Sequence, residues 1–247
     1  FYLNASYKKN LIKIIDKTKP DLVINCIGIL IEQSELYPEL AEELNAKFPH
    51  NLRITCDKLN SKLIHISTDC VFSGDKGYYH ENSPKDSETN YGKTKARGEI
   101  LSKEHLTIRT SVIGPGLKTV GTELFDWFMA QEHKINGYND SIWSGVTTFY
   151  LARMIEFSIE NNTNEIYNFS STVSISKYEL LCIINKTFKK NIMIKKVKGI
   201  KTNKILIDNR KLITFNIPKY KTMLDEMLYN IKSKSQIYPE YKKYLKN

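Results

Sequence analysis

The sequence is poor in several features that would point its function elsewhere. Its four cysteines, Cys26, Cys56, Cys70 and Cys182, form no Cys-x-x-Cys pair and share no metal-type spacing with histidine. That excludes a zinc ribbon and offers no disulfide framework. Cys26 and Cys70 lie in apolar, strand-like surroundings, so reduced thiols in a cytoplasmic protein are expected, with Cys26 buried and inert. No apolar run approaches the roughly 20 residues that a membrane span needs. Internal repeats and low-complexity linkers are absent. Acidic side chains are in deficit, 27 against 37 lysines and arginines, for a net charge of +10. The basic residues are scattered at solvent-type spacings and form no stripe, so neither nucleic acid nor a membrane is the expected partner. A small anionic ligand, a nucleotide or a sugar phosphate, suits that charge. What is present is an apolar fraction of 41% over 247 residues. That is enough for a sizeable core and gives no sign of disorder.

Strands and helices alternate through the first half. Residues 7–17 place Leu11, Ile12, Ile14 and Ile15 on one face of a short helix that Pro20 ends. Residues 21–27 form an apolar run, as in a strand covered on both faces. Gly28 follows, where backbone can approach a ligand closely. Residues 35–59 predict a long helix with Leu36, Leu40, Leu44, Phe48, Leu52 and Leu59 on a drifting stripe. Pro38 falls in an early turn, and Pro49 marks a bend or break. Further strands are expected at 63–66 and 106–113, with a helix over about 90–103 between them; Gly114-Pro115-Gly116 closes the second strand. This rhythm predicts βαβ units and an α/β, doubly wound parallel sheet.

Beyond Gly116 the pattern changes. It predicts helices over 122–131, 147–161, 176–188 and 219–232, with strands near 135–143, 165–170 and 192–197. Ser174 or Ser176 is the expected cap of the third of these helices. Met223, Leu224, Met227, Leu228 and Ile231 should face inward on the last. The tail, with Tyr238, Tyr241 and Tyr244 among lysines, reads as a solvated surface helix. This half predicts a smaller α+β lobe laid over the sheet's C-terminal edge.

Residues 63–95 organise the rest. The strand delivers Ser67 and Thr68 at its C-terminal end, and after a loop Tyr91-Gly92-Lys93-Thr94-Lys95 opens a helix. Tyr91 and Lys95, four residues apart, share a helix face and can project toward Thr68. A phenol has a pKa of about 10, and a nearby cation favours its ionised form. Such a group can pass a proton to a developing alkoxide near neutral pH. Ligands of open α/β sheets bind outside the carboxyl ends of the strands. Three such ends are candidates: Cys26-Ile27-Gly28, Ser67-Thr68-Asp69 and Val112-Ile113-Gly114. The Tyr/Lys spacing alone arises by chance in lysine-rich helices; the hydroxyl-bearing strand end before it gives it weight. Trp143 and Tyr138 can stack on a nucleotide base or pack in the core, and the sequence leaves both open. His65 reads as a core or supporting residue, Arg109 as a structural ion-pair partner, and no histidine as catalytic.

Five segments carry a resemblance: Pro20 to Asn25 (PDLVIN), Glu39 to Ala46 (ELAEELNA), Ser67 to Gly74 (STDCVFSG), Tyr91 to Lys95 (YGKTK) and Ile108 to Ser111 (IRTS). In this order, and at close to this spacing, they resemble the extended short-chain dehydrogenase/reductases. The branch they look most like is the dTDP-4-dehydrorhamnose reductases, which act on nucleotide-linked sugars. The pairing of STDxVFxG with YGxTK is specific to that branch. The later half is similar more loosely, through TTFYLARMI and EIYNFS.

The resemblance implies a Rossmann domain over residues 1–115, incomplete at its N-terminus. It implies a mainly substrate-binding lobe over 116–247, with 144–171 returning to the Rossmann domain. The activity implied is reduction, by NADPH or NADH, of a 4-keto group on a nucleotide-activated deoxyhexose for cell-surface polysaccharide. A nucleotide sugar is then the partner, and a homodimer stays open. Carried over by residue, Thr68 would bond the sugar carbonyl, Tyr91 would donate its proton, and Lys95 would hold the nicotinamide ribose and lower the phenol pKa. Asp69 and Trp143 would face the substrate. Cys26, Ile27 and Gly28 would line the dinucleotide through their backbone, with Asn45 supporting the cofactor side.

The family's glycine-rich turn, G-x-x-G-x-x-G, is absent. Alignment on Asn25 sets Phe1 near the end of the family's third strand. The chain is therefore expected to be a fragment that lacks the first strand, its helix and the second strand, along with the pyrophosphate cradle and the residue selecting NAD or NADP. A gap in the middle of the sheet and poor dinucleotide binding should follow. Two other functions stay open: a non-catalytic, nucleotide-binding or regulatory member of the fold, and an enzyme combining epimerisation with reduction.

Overall fold

A computed structural model describes residues 8–117, 123–208 and 215–244. Tyr7 and Thr122, at the starts of two expected helices, lie outside them, as does the side chain of Tyr244. Helix α1 (Lys8–Thr18) leads into strand β1 (Leu22–Asn25). The long helix expected next is broken into α2 (Ile31–Leu36), α3 (Pro38–Ala41), a π-helical turn (Glu42–Lys47) and α4 (Phe48–Leu59). The four-residue spacing of the leucine stripe suits the wider π winding, whose bonds run from i to i+5. Pro49 breaks nothing, because it sits in the first turn of α4. Leu44, Phe48 and Leu52 are buried, whereas Leu36 and Leu40 are exposed.

Strand β2 (Lys62–Thr68) is covered on both faces, as a central parallel strand is: Leu63 joins Ile15, Phe48 and Leu52 on one face, and Ile64 joins Leu106 and Ile108 on the other. Helix α5 (Asn90–Arg97) is capped by Thr89, whose Oγ1 accepts from Gly92 N at 3.0 Å; it stops at Gly98, short of the expected 103. The strand expected over 106–113 divides at Ser111 into β3 (Leu106–Thr110) and β4 (Val112–Ile113). Strand β3 stays in the main sheet while β4 leaves it.

The second half adds α6 (Leu124–Ala130), β5 (Ile135–Tyr138), β6 (Ser141–Trp143), β7 (Val146–Thr147), α7 (Thr148–Glu160) and β8 (Glu165–Asn168). After these come β9 (Ile175–Ser176), α8 (Lys177–Thr187), β10 (Ile194–Val197), β11 (Thr202–Asn203) and α9 (Tyr220–Ser233). Ser176, not Ser174, caps α8, in a reciprocal capping box with Glu179.

The main sheet is parallel throughout, in the order β1-β2-β3-β8. The expected gap in its middle is not found: the four strands are contiguous, and the edge falls at β1. Strand β4 pairs with β7, which ties the second half to the end of β3. The largest core runs from Ile64, Leu106 and Ile108 of the sheet into Phe125, Phe128, Trp143, Tyr150 and Met154.

The tail departs from expectation. Residues Pro239–Tyr244 form a 3-10 turn in which Tyr241 is buried. Its hydroxyl donates to Asp126 and accepts from Gly116 N at 3.1 Å, so the tyrosine pins the loop after β4 against α6. Arg109 is the structural residue expected: fully buried, it makes a two-bonded pair with Glu99 at 2.7 and 2.8 Å. No helix among the described residues is long and apolar enough to cross a membrane.

Candidate active site

The C-terminal ends of β1, β2 and β3–β4 open on a cavity of about 750 Å³. Its wall holds Cys26, Ile27 and Gly28 on one side, Thr68, Asp69, Tyr91 and Lys95 at the centre, and Trp143 on the other. Gly92 explains how α5 comes so close to the strand end: a Cβ there would sit 2.2 Å from the Cys70 carbonyl and 2.0 Å from Ser87 Oγ. Only glycine permits that approach.

Thr68 is the hub. Its Oγ1 accepts from Cys70 N at 3.1 Å and donates to Asp69 Oδ1 at 3.2 Å, and the Tyr91 phenol stands beside it on the cavity wall. Lys95, buried, donates to the Ile66 carbonyl at 2.7 Å. Burial brings its ammonium down to about 8, against an opposing pull from Glu99 and Cys26. The expected lowering of the Tyr91 pKa by Lys95 is not found. Burial, followed by the neighbouring Cys70, pushes the phenol above its ordinary value, and the nearby Thr68 hydroxyl offsets this in part. Desolvation of a phenolate outweighs the help of an ammonium already committed to a backbone carbonyl.

Asn45 does not line the cavity. Turned inward by the π turn, it accepts from Ile29 N at 2.9 Å and donates to Ile29 O at 3.0 Å. It thereby fixes the loop after β1 from behind. Asn25 does the same for Ile27 N and also bonds His65 Nδ1, each at 3.0 Å. Burial, with Lys95 and His50 nearby, keeps His65 well below its ordinary pKa, so it is neutral and structural.

Cys26 is exposed at the cavity, not buried as expected, because β1 lies at the sheet edge. Desolvation still raises its thiol pKa, with Lys95 opposing, so it is no ready nucleophile. Trp143 both packs and lines: its Nε1 donates to Ser111 Oγ at 2.7 Å, and its ring meets Tyr220. Tyr138 is half-exposed on β5 and is not part of the wall.

Sequence reasoning missed Lys177, Lys204 and Glu123. Asp69 is buried, and desolvation raises its pKa while Lys204 and then Lys177 pull it back. Lys177 begins α8 and lines the cavity, its Nζ 5.2 Å from the Trp143 ring centre. One signal was available: a lysine in the first turn of a Ser-capped helix stands at the positive end of the dipole, where cations are disfavoured. Burial and Asp126 raise the pKa of Glu123, which also lines the cavity.

A contiguous parallel sheet with helices about it, open at its carboxyl ends, is a Rossmann-type α/β fold. Within that class the chain belongs to the RmlD substrate binding domain family, whose model matches residues 2–229. A dTDP-4-dehydrorhamnose reductase of Aggregatibacter actinomycetemcomitans is 35% identical over 115 residues, 44% of this chain and 39% of that protein. Methionine adenosyltransferase 2 subunit beta of Xenopus tropicalis is 26% identical over 205 residues, 76% of this chain and 60% of that protein. The solved dTDP-4-dehydrorhamnose reductase of Bacillus anthracis, in complex with NADP, superposes with a TM-score of 0.80 at 21% identity, covering 92% of this chain and 87% of that one. Against the curated relatives of 31–35% identity, the match spans 31–39% of their length.

Proposed function

We propose that the chain carries the proton-transfer centre of a reductase that uses NADPH or NADH to reduce a 4-keto group on a nucleotide-activated deoxyhexose, a precursor of cell-surface polysaccharide. The observation that carries this reading is the meeting of Thr68 at the end of β2 with Tyr91, and with Lys95 one turn along α5, on the wall of one cavity. The Aggregatibacter relative bears the name of such a reductase, and the B. anthracis protein holds NADP. In this reading residues 1–115 with 144–171 form the cofactor side and the remainder mainly the substrate lobe. The free thiols suit the cytoplasm, and a homodimer is left to sedimentation to test.

The residues at hand suit the nicotinamide-ribose end of a dinucleotide. A Cβ on Gly28 would lie 3.0 Å from Asn45 Oδ1 and 4.0 Å from Lys95 Nζ, so bare backbone borders the ammonium there. Cys26, Ile27 and Gly28 would hold the group through their main chain, and Lys95 and Tyr91 through their side chains. When bound, it supplies a hydride to the sugar carbon. The chain's own residues manage the proton. The Thr68 hydroxyl holds the keto oxygen, and Tyr91 passes its phenolic proton to that oxygen as charge develops on it. Burial keeps the phenol protonated until then, and the Lys95 charge steadies the phenolate left behind. Asp69 and Trp143 orient the sugar.

The test is NADPH oxidation by the full chain with a 4-keto nucleotide deoxyhexose, beside Tyr91→Phe. Turnover that survives the substitution overturns the mechanism. A second reading, a non-catalytic nucleotide-binding or regulatory role, draws support from the Xenopus protein, which is named as a subunit and matches 76% of this chain. Nucleotide binding without turnover of any keto sugar would favour it.

A further inference from the structure

We propose that Lys177 is the residue that grips an anionic oxygen of the substrate, a phosphate of the diphosphate or a carboxylate on the sugar. On this account Lys177 restricts the cavity to substrates that carry such a group. The inference rests on the nucleotide-sugar reading and adds to it a recognition residue.

Two lysines line the cavity among the described residues, Lys95 and Lys177. Lys95 is committed to the Ile66 carbonyl. Lys177 has no hydrogen-bonded acceptor and no ion pair among the described residues; the Trp143 ring centre lies 5.2 Å from its Nζ. Three N–H donors facing a cavity without an acceptor favour a ligand that supplies one. Asp69 lies near but does not satisfy it: that carboxylate takes the bond from Thr68 and is flanked by Lys204.

The backbone works in the same direction. Lys177 is the first residue of α8, an 11-residue helix whose positive end points where the ammonium stands. For folding alone this is a poor place for a lysine. For an anion it adds to the attraction, with a charge and a dipole acting from one side. Desolvation lowers the Lys177 pKa, with Asp69 opposing, which marks a charge held away from water. An anion seated there would be bound by a weakly hydrated cation, and that strengthens the contact.

The experiment is calorimetric binding to the full chain and to Lys177→Gln and Lys177→Arg, with thymidine, thymidine diphosphate, UDP-glucose and UDP-glucuronate as probes. If Lys177 holds phosphate, Lys177→Gln weakens the diphosphate about tenfold or more, leaves thymidine unchanged, and Lys177→Arg restores most of the loss. If it holds a sugar carboxylate, the diphosphate is unaffected while a preference for UDP-glucuronate over UDP-glucose disappears in Lys177→Gln. Either result supports the inference. Affinities within twofold of wild type for every probe overturn it and leave the nucleotide-sugar reading intact. A wild-type chain that binds none of the probes overturns both.

Discussion

Lys95 gives its ammonium to the carbonyl of Ile66, 2.7 Å away on β2, while Tyr91 on the same helix stands beside Thr68 on the cavity wall. The pair that the sequence places on one helix face thus meets β2 at two points, the backbone at Ile66 and the side chain at its end.

That burial has a consequence for stability. The Lys95 pKa is about 8 in the folded chain against 10.5 for an ordinary lysine. Between those values the unfolded chain binds more protons, so the Lys95 contribution to stability rises with pH across that window. The denaturant midpoint of wild type relative to Lys95→Met should climb from pH 8 toward 10, by up to about 1.4 kcal/mol per pH unit. A pH-independent difference would contradict the assignment.

Thr68→Val removes the hydroxyl that bonds Asp69, accepts from Cys70 N and stands beside Tyr91. On the proposed reductase mechanism, turnover should fall by about 10²–10⁴. Thr68→Ser, which keeps the oxygen, should stay within about tenfold of wild type. NADPH oxidation at saturating sugar measures both.

Glu99→Gln leaves the Arg109 guanidinium buried without its counter-charge, and side-chain exposures of 1% and 2% allow no rescue by solvent. The expected loss is about 3–5 kcal/mol in urea unfolding. Replacing both partners with apolar residues of matching volume should recover much of it.

Gly92→Ala drives a methyl group into Ser87 Oγ and the Cys70 carbonyl. The carbonyl belongs to the turn that Thr68 caps, so α5 must withdraw from the strand end. Activity should drop well over tenfold, while the melting temperature changes by only a few degrees. A variant with normal turnover would show that the close approach is not needed.

Much of the catalytic half was legible because its signals are local. The apolar run marked residues 63–66 as a buried strand, and the spacing of Tyr91 and Lys95 set their shared face. The break-up of residues 35–59 was not legible, because a four-residue leucine repeat fits a drifting α-helix as well as a π turn. Tyr241 was read as solvated since its partner, Asp126, lies 115 residues away. The tail's composition of tyrosine and lysine says nothing of that bond. Lys177 was hidden for a similar reason: one lysine among many gains meaning only when folding sets it beside Trp143 and Asp69.

The division of the strand at Ser111 sets where the indole is anchored. Thr110, one residue before it, stands in register with Thr68, and Ser111 itself accepts the bond from Trp143. The far wall of the cavity is thus tied down within one residue of the strand pair that ends in Thr68, so the spacing between Trp143 and that hydroxyl is set by a short run of backbone.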